Sequence, residues 1–497
     1  MAPLTLESIG FLWLPLLPLI AVTAIAMVVL MAGVSLAEDR RDGLGWLSLG
    51  GLALALVLAV ALVGHNANAF SGAIAIDDFA AFFEIAIIIT AVGTVLLSLE
   101  YAQEHGLAGA EYYSLILFAT LGMMLMATAG DLIVIFLGLE VMSISLYALA
   151  GMARHEARSS EAALKYFLLG AFSTGFLLYG IALVYGATGT IKLDAIHAAV
   201  SGDAASNPLL LLGLGMLLVG FGFKVAAVPF HTWAPDVYEG APTPVTAFMA
   251  VGVKFAAFAA FVRLFLVALE PIGPQWTWVL WALAVLTMTA GNLTALVQSN
   301  IKRMLAYSAI AHAGYLLVGM TANDSAAGGA ILYYLVAYGL TNLGAFGVVI
   351  ALERRAGAGE LISDYRGLST REPALAAAMA VFMLSLTGVP PLAGFVGKFY
   401  VFSAAVERGL VGLVVIAVLN SVVSAYYYLY VIVAMYMEQG APAVARMAAR
   451  PALVAAIALA AIGTFLFGVY PEPPMSAAES AFASAVGPTT RAMSSLP

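Results

Sequence analysis

Cysteine is absent from this 497-residue sequence, which rules out disulfides, thiolate-held iron–sulfur clusters and Cys-ligated zinc within it. Charge is nearly as scarce. Only 10% of the residues are Asp, Glu, Lys or Arg, against about 25% in an ordinary soluble domain. So few charges cannot cover a water-facing surface, and nothing resembles a basic nucleic-acid patch. The formal net charge of −8 says little about partners, because the charges are spread over short loops. Two nucleotide-binding devices are also missing: a G-x-G-x-x-G run in a strand–helix context and a Walker A motif. The N-terminus has no basic region ahead of its apolar run, which continues to about Leu36. That predicts a first transmembrane helix and no cleaved signal peptide.

What is present is apolar sequence, 63% of the chain. A helix needs about 20 apolar residues to cross a hydrocarbon core of roughly 30 Å. Such runs predict fourteen spans, near 9–36, 44–64, 78–98, 112–129, 131–152, 160–185, 208–230, 244–268, 276–297, 301–320, 328–351, 373–402, 410–437 and 451–470. The fold expected is an all-α polytopic membrane protein, one helical domain over 1–497. Within it, 1–111 holds spans 1–3, 112–270 and 271–440 hold five spans each, and 441–497 holds span 14 and a short polar tail.

Basic residues in the loops set the orientation. Connections after odd-numbered spans hold Arg40, Arg41, Arg154, Arg158, Lys302, Arg303, Arg354, Arg355, Arg366, Arg371, Arg446 and Arg450. Connections after even-numbered spans hold Lys192, Arg263 and Arg408, and Arg491 lies in the tail. Twelve against three predicts cytoplasmic odd connections and both termini outside.

Four basic residues are left over: Lys165, Lys224, Lys254 and Lys398, all inside predicted spans. A charge at mid-bilayer costs about 2.5–3.5 kcal/mol on insertion scales, so these four plus Glu140 would together cost on the order of 10 kcal/mol if unpaired and lipid-facing. They are expected to face the bundle interior, one another or water. Glu140 and Lys254 are central in their spans, whereas Lys165 is near the end of span 6, where its stem can snorkel to the interface. Burial disfavours the charged form of both residue types and an opposite charge reverses this. A lysine that can gain or lose Glu140 as partner can therefore hold and release a proton. His312 lies deep in span 10 with Ser308 one turn before it and Tyr315 on the same side, a second candidate relay. Glu84 is a weaker candidate, and Asp131 reads as a helix cap.

Span 7 is interrupted at Pro229, shortly after Lys224, and span 12 at Pro390 and Pro391, shortly before Lys398. Proline removes a backbone donor, and exposed backbone at membrane depth persists only against protein or a hydrated cavity. The two breaks sit five spans apart, so spans 7 and 12 run in opposite directions. Spans 4–8 and 9–13 could thus be inverted repeats.

The segments FKVAAVPFHTWAPDVYEGAPTPVTAFMAVGVKFAAF (223–258) and GVPPLAGFVGKFYVF (388–402) resemble the antiporter-like subunits of respiratory complex I, the proton-pumping NADH:quinone oxidoreductase. The resemblance covers essentially the whole chain. It is closest to the subunit N branch: subunit M carries glutamate where this chain has Lys398, and subunit L has a long lateral helix for which the residues after Tyr470 leave no room. The resemblance implies a proton path through Glu140, Lys165, Lys224, Lys254, His312 and Lys398. It also implies that NADH, flavin, iron–sulfur clusters and quinone sit on partner subunits, with no cofactor or metal in this chain. The setting implied is a bacterial cytoplasmic membrane, among other membrane-arm subunits. The alternative is a cation/proton antiporter subunit of the multi-subunit sodium/proton type, which shares this fold.

Overall fold

The computed structural model describes residues 14–36, 43–353, 359–439 and 450–494. Their helices, in chain order, are α1 (Leu17–Ser35), α2 (Gly43–Ala61), α3 (Asp78–Glu104), α4 (Ala110–Ala127), α5 (Leu132–Ala150) and α6 (Ala157–Thr188). The broken α7 follows as α7a (Pro208–Lys224) and α7b (Trp233–Gly240). Next come α8 (Thr243–Val262), α9 (Gly273–Ala295), α10 (Ile301–Ala322) and α11 (Ser325–Leu352). The second broken helix is α12a (Pro373–Thr387) and α12b (Ala393–Glu407), and α13 (Val411–Met437), α14 (Pro451–Val469) and α15 (Glu472–Ser494) complete the order. Twelve of these, counting α8 on to Ala268 and α9 from Glu270, are long and apolar enough to cross a membrane, and α7a and α12a are shorter apolar helices. Both proline-interrupted spans are thus helices in two pieces, as their sequences predict.

Each residue of α8 is buried. A helix apolar on every side belongs in the interior of a bundle, and α8 sits there between α3 and α11. Close crossings rely on small residues, as at α4–α5, where a side chain on Gly122 would run into Gly138 and the backbone of Met142. The outer helices α1, α2, α6, α13 and α14 bury only about a third of their most apolar stretch, leaving broad apolar flanks.

Charged chain ends collect at two faces. Connections after odd-numbered helices share one face, where Arg303 reaches Asp236 at 2.7 Å and Glu239 at 2.9 Å. There Glu360 takes Arg158 at 3.2 Å and Lys302 at 3.8 Å, and Arg450 pairs with Glu104. At the opposite face Arg408 meets Asp324 at 3.1 Å. A small antiparallel hairpin, β1 (Ala67–Ala69) and β2 (Ile74–Ile76), lies in the α2–α3 connection on that face.

One local device occurs twice. Asp131 caps α5 by accepting from Val134 N at 2.8 Å and forms an isolated β-bridge with Lys192. Asn300 caps α10 by accepting from Lys302 N at 2.9 Å and bridges Leu361. The bridging partners are equally far apart along the chain in the two cases. Because α5 starts after an even connection and α10 after an odd one, the two devices lie at opposite faces.

Three loop cations are not where the sequence suggests. Arg263 lies in the π-helical extension of α8 and is buried against Asp77, with Nη1–Oδ2 2.7 Å and Nη2–Oδ1 2.8 Å. Lys302 and Arg450 are likewise buried, at the starts of α10 and α14. Each has a specific partner at its helix end, so counting residues in loops overstates the freely solvated positive charge. Arg40, Arg41, Arg354, Arg355 and Arg446 lie outside the described residues, as does the Arg491 side chain. The expected polar tail is corrected too. The residues after Tyr470 form α15, which buries Met475, Ala478, Ala481 and Phe482 against α3 and α11. Its small and apolar residues recur every three or four positions, a helical stripe too weakly hydrophobic to read as a span.

Burial works to raise the pKa of the Asp77 carboxyl, but the Arg263 guanidinium outweighs it and holds the group below its ordinary value. A lowered native pKa means that the pair's contribution is complete above the ordinary aspartate value of 3.8 and is lost as pH falls through the native one. Asp77→Asn, which leaves Arg263 buried without its counter-ion, should therefore cost about 3–5 kcal/mol at neutral pH. The measurement is a thermal unfolding midpoint in detergent, with the deficit shrinking only at strongly acid pH.

Candidate functional site

Breaking α7 after Lys224 leaves that lysine at the last turn of α7a, fully inside the protein. Its Nζ donates to Ser143 Oγ on α5 at 2.7 Å and lies 5.6 Å from the ring centres of Tyr147, Tyr166 and Phe223. Glu140, expected as its partner, makes no ion pair with it within 4 Å, although it lies near enough to act on it electrostatically. The Glu140 Oε1 is buried with no hydrogen-bond partner, and Glu140 shares a stripe of α5 with the exposed Leu137 and Ile144. Ser143, one turn on, takes the place nearest the lysine.

Lys254 projects from the middle of α8 toward α10 and α11. Its Nζ donates to the Ala309 carbonyl and, at 2.9 Å, to Tyr338 OH. Tyr338 packs against His312, ring centres 5.3 Å apart. His312 is held from both sides: Nδ1 meets Tyr334 OH at 2.6 Å and Nε2 meets Tyr428 OH at 3.1 Å. Tyr428 OH continues to Ser308 Oγ at 2.5 Å. The Ser308/His312 stripe of α10 is therefore joined through a tyrosine on α13. Tyr315, the third member, has its ring 5.5 Å from His312 and its hydroxyl on Asn292 at 3.0 Å.

Lys398, on α12b, lies 4.9 Å from the Tyr315 ring centre. Its Nζ donates to the carbonyls of Leu386 at 2.9 Å and Thr387 at 3.0 Å, and to Ser421 Oγ on α13 at 2.8 Å. Both carbonyls end α12a, where helix termination leaves acceptors without amide partners. Gly388 turns the chain there with φ +92°. A Cβ there would stand 3.1 Å from Lys398 Cδ, so the lysine stem would have to give by a few tenths of an ångström, and the positive φ itself favours glycine.

These contacts join Lys254, His312 and Lys398 in one buried line, with Lys224 apart in an aromatic cage formed by α5, α6 and α7a. Lys165 stands apart. It is 40% exposed in its side chain and bound to Glu161 at 2.7 Å and Asp236 at 2.6 Å, in the network of the odd face. The four lysines therefore split three to one. Pro229 and the Pro390–Pro391 pair sit at the breaks, with cis bonds at Val228–Pro229 and Pro390–Pro391. The residues that sequence reasoning missed are the neutral ones: Ser143, Tyr334, Tyr338, Ser421, Tyr428 and Gly388. Tyr334 and Tyr338 do stand one turn apart on α11, yet an aromatic pair at that spacing reads first as core.

Gly388→Ala should force a backbone conformation costing about 1–3 kcal/mol and displace the Lys398 stem by a few tenths of an ångström. The expected outcome is a lower unfolding midpoint, together with a structure of the variant in which the stem has shifted along the break.

Residues 129–424 match the family described as NADH:quinone oxidoreductase/Mrp antiporter, TM. The chain is 48% identical to NADH-quinone oxidoreductase subunit N of Trichlorobacter lovleyi, over 94% of this chain and 96% of that one. It is 46% identical to subunit N of Chloroflexus aggregans, over 92% and 94%. A chain of respiratory complex I from Thermus thermophilus with bound aureothin superposes with a TM-score of 0.78 at 37% identity, covering 93% of this chain and 99% of that one. A chain of the Mrp complex from Dietzia sp. gives 0.82 at 24% identity, over 95% and 98%, a likeness of fold. The buried lysines, the two broken helices and these relatives agree: the chain belongs to the NADH-quinone oxidoreductase subunit N branch of the NADH:quinone oxidoreductase/Mrp antiporter family.

Proposed function

We propose that this chain is a proton-translocating subunit in the membrane arm of an NADH:quinone oxidoreductase, in a bacterial cytoplasmic membrane with both termini outside. The observation that carries the proposal is the buried line from Lys254 through Tyr338 and His312 to the Tyr315 face and Lys398. Hydroxyls and an imidazole both give and accept protons, and a proton crosses the ring contacts Tyr338–His312 and His312–Tyr315 only when a water or a turned side chain bridges them. Lys224, with Glu140 at longer range, loads the first half. Lys165 belongs to the surface network and tunes the approach to α7b through Asp236. The redox groups (NADH, flavin, iron–sulfur clusters and quinone) sit on partner subunits, which drive the path by changing the charge or shape of its surroundings. This chain supplies no redox centre.

The repeated cap-and-bridge device at Asp131 and Asn300 supports reading α4–α8 and α9–α13 as inverted repeats, residues 112–270 and 271–440, with 1–111 and 441–497 flanking them. On that reading Ser143 and His312, each twelve residues past its capping residue, are counterparts: one receives Lys224, the other links Lys254 to Lys398. The alternative, cation/proton antiport, rests on likeness of fold at 24% identity and is the weaker reading beside subunit N relatives at 48%.

Reconstituted complexes carrying single substitutions test the path. Lys254→Ala should abolish NADH-driven proton uptake into vesicles. Tyr338→Phe, which removes one hydrogen bond to a charged group worth about 1.5–3 kcal/mol, should lower the pumping rate roughly tenfold or more. Lys165→Ala should retain most of it. Undiminished pumping in an assembled Lys254→Ala complex would refute the proposal.

A further inference from the structure

The three buried lysines differ in what surrounds them. Lys224 has one hydroxyl and three aromatic faces. Lys254 has one carbonyl and the hydroxyl and ring face of Tyr338, whose centre is 4.2 Å away. Lys398 has two carbonyls, one hydroxyl and an aromatic face, and no carboxylate pairs with it among the described residues. Its charge is met by neutral oxygens alone. Ser421 Oγ also donates to the Thr387 carbonyl at 3.3 Å, which orients its lone pairs toward the ammonium. Backbone carbonyls at an interrupted helix, completed by a side-chain oxygen, are the ligand set with which membrane proteins strip and hold alkali cations.

We propose that the α12 break is a monovalent-cation site whose resident cation is the Lys398 ammonium, and that it binds a potassium-sized ion when the ammonium is withdrawn. The oxygens stand 2.8–3.0 Å from Nζ. That spacing suits potassium or rubidium, which are close in size to an ammonium group, and is wider than sodium takes. The cradle is built without the lysine. Gly388, with φ +92°, directs the chain away from the last carbonyls of α12a. Gly394 N, donating to Ser385 Oγ at 3.1 Å, ties the start of α12b to the end of α12a, and Ser421 comes from a separate helix. Shortening residue 398 therefore leaves the oxygens in place. It also leaves room beside them. Filling that room with an uncharged side chain of lysine's length closes the site.

The test is equilibrium binding of radioactive rubidium to purified, fully assembled complex carrying wild-type, Lys398→Ala, Lys398→Met or the double variant Lys398→Ala/Ser421→Ala. Lys398→Ala should bind one more rubidium per complex than wild-type. Potassium should displace it at about tenfold lower concentration than sodium. Lys398→Met should bind no extra ion, and the double variant should bind rubidium at least about tenfold more weakly. An assembled Lys398→Ala complex that binds no more rubidium than wild-type overturns the proposal, as does extra binding that Ser421→Ala leaves unchanged. Neither readout needs proton pumping, so failure here would leave the reading of the proton path standing.

Discussion

Everything in this chain answers to one constraint: an ammonium placed among hydrocarbon must be solvated by the protein itself. Each of the three interior lysines meets it differently, with aromatic faces, with a tyrosine hydroxyl, or with the loose end of a broken helix. The architecture follows from those needs. The break in α12 turns two backbone carbonyls to Lys398, whereas the break in α7 ends its helix at Lys224, which meets a serine hydroxyl and ring faces instead. The helix that carries Lys254 is apolar on every other side and buried along its whole length, so no flank of it brings that charge to lipid. At the two faces, where water is near, the same cations pair with carboxylates instead, as Arg303 does with Asp236 and Glu239.

Neutral partners matter for a transport path because they do not fix the charge. A lysine locked to a carboxylate at contact distance is a stable ion pair, and separating it is expensive. Lys224 beside Ser143, with Glu140 held back, is in a softer arrangement. The mixed hydroxyl–imidazole cluster around His312 has the same character. Every group in it can exchange donor and acceptor roles.

Much of this was legible in the sequence, and the reason is physical. Spans, breaks and interior charges are all departures from a uniform apolar background, so Lys224, Lys254, Lys398, Pro229 and Pro390 announce themselves. Tyr338 and Ser143 do not, since a tyrosine or serine in a membrane helix is ordinary and becomes functional only through the neighbour that folding brings to it. Lys165, expected near one end of span 6 where a lysine can snorkel, lies partly exposed beside Glu161 and Asp236 in the surface network. Counting Arg263 as a loop cation is a separate error, because the span predicted to residue 268 already holds it; the helix keeps it, and its partner Asp77 lies far away in sequence.

The last helix also bears on the order of assembly. Ser484 on α15 accepts the Phe79 amide at the start of α3 at 3.1 Å, and Phe482 fills the space beside Gly328 on α11. These contacts join the final segment to helices made much earlier. The even face consequently closes only after α15 has been synthesised. Until then the Phe79 amide and the α11 flank at Gly328 lack their final partners, so this corner of the bundle is the last to be completed.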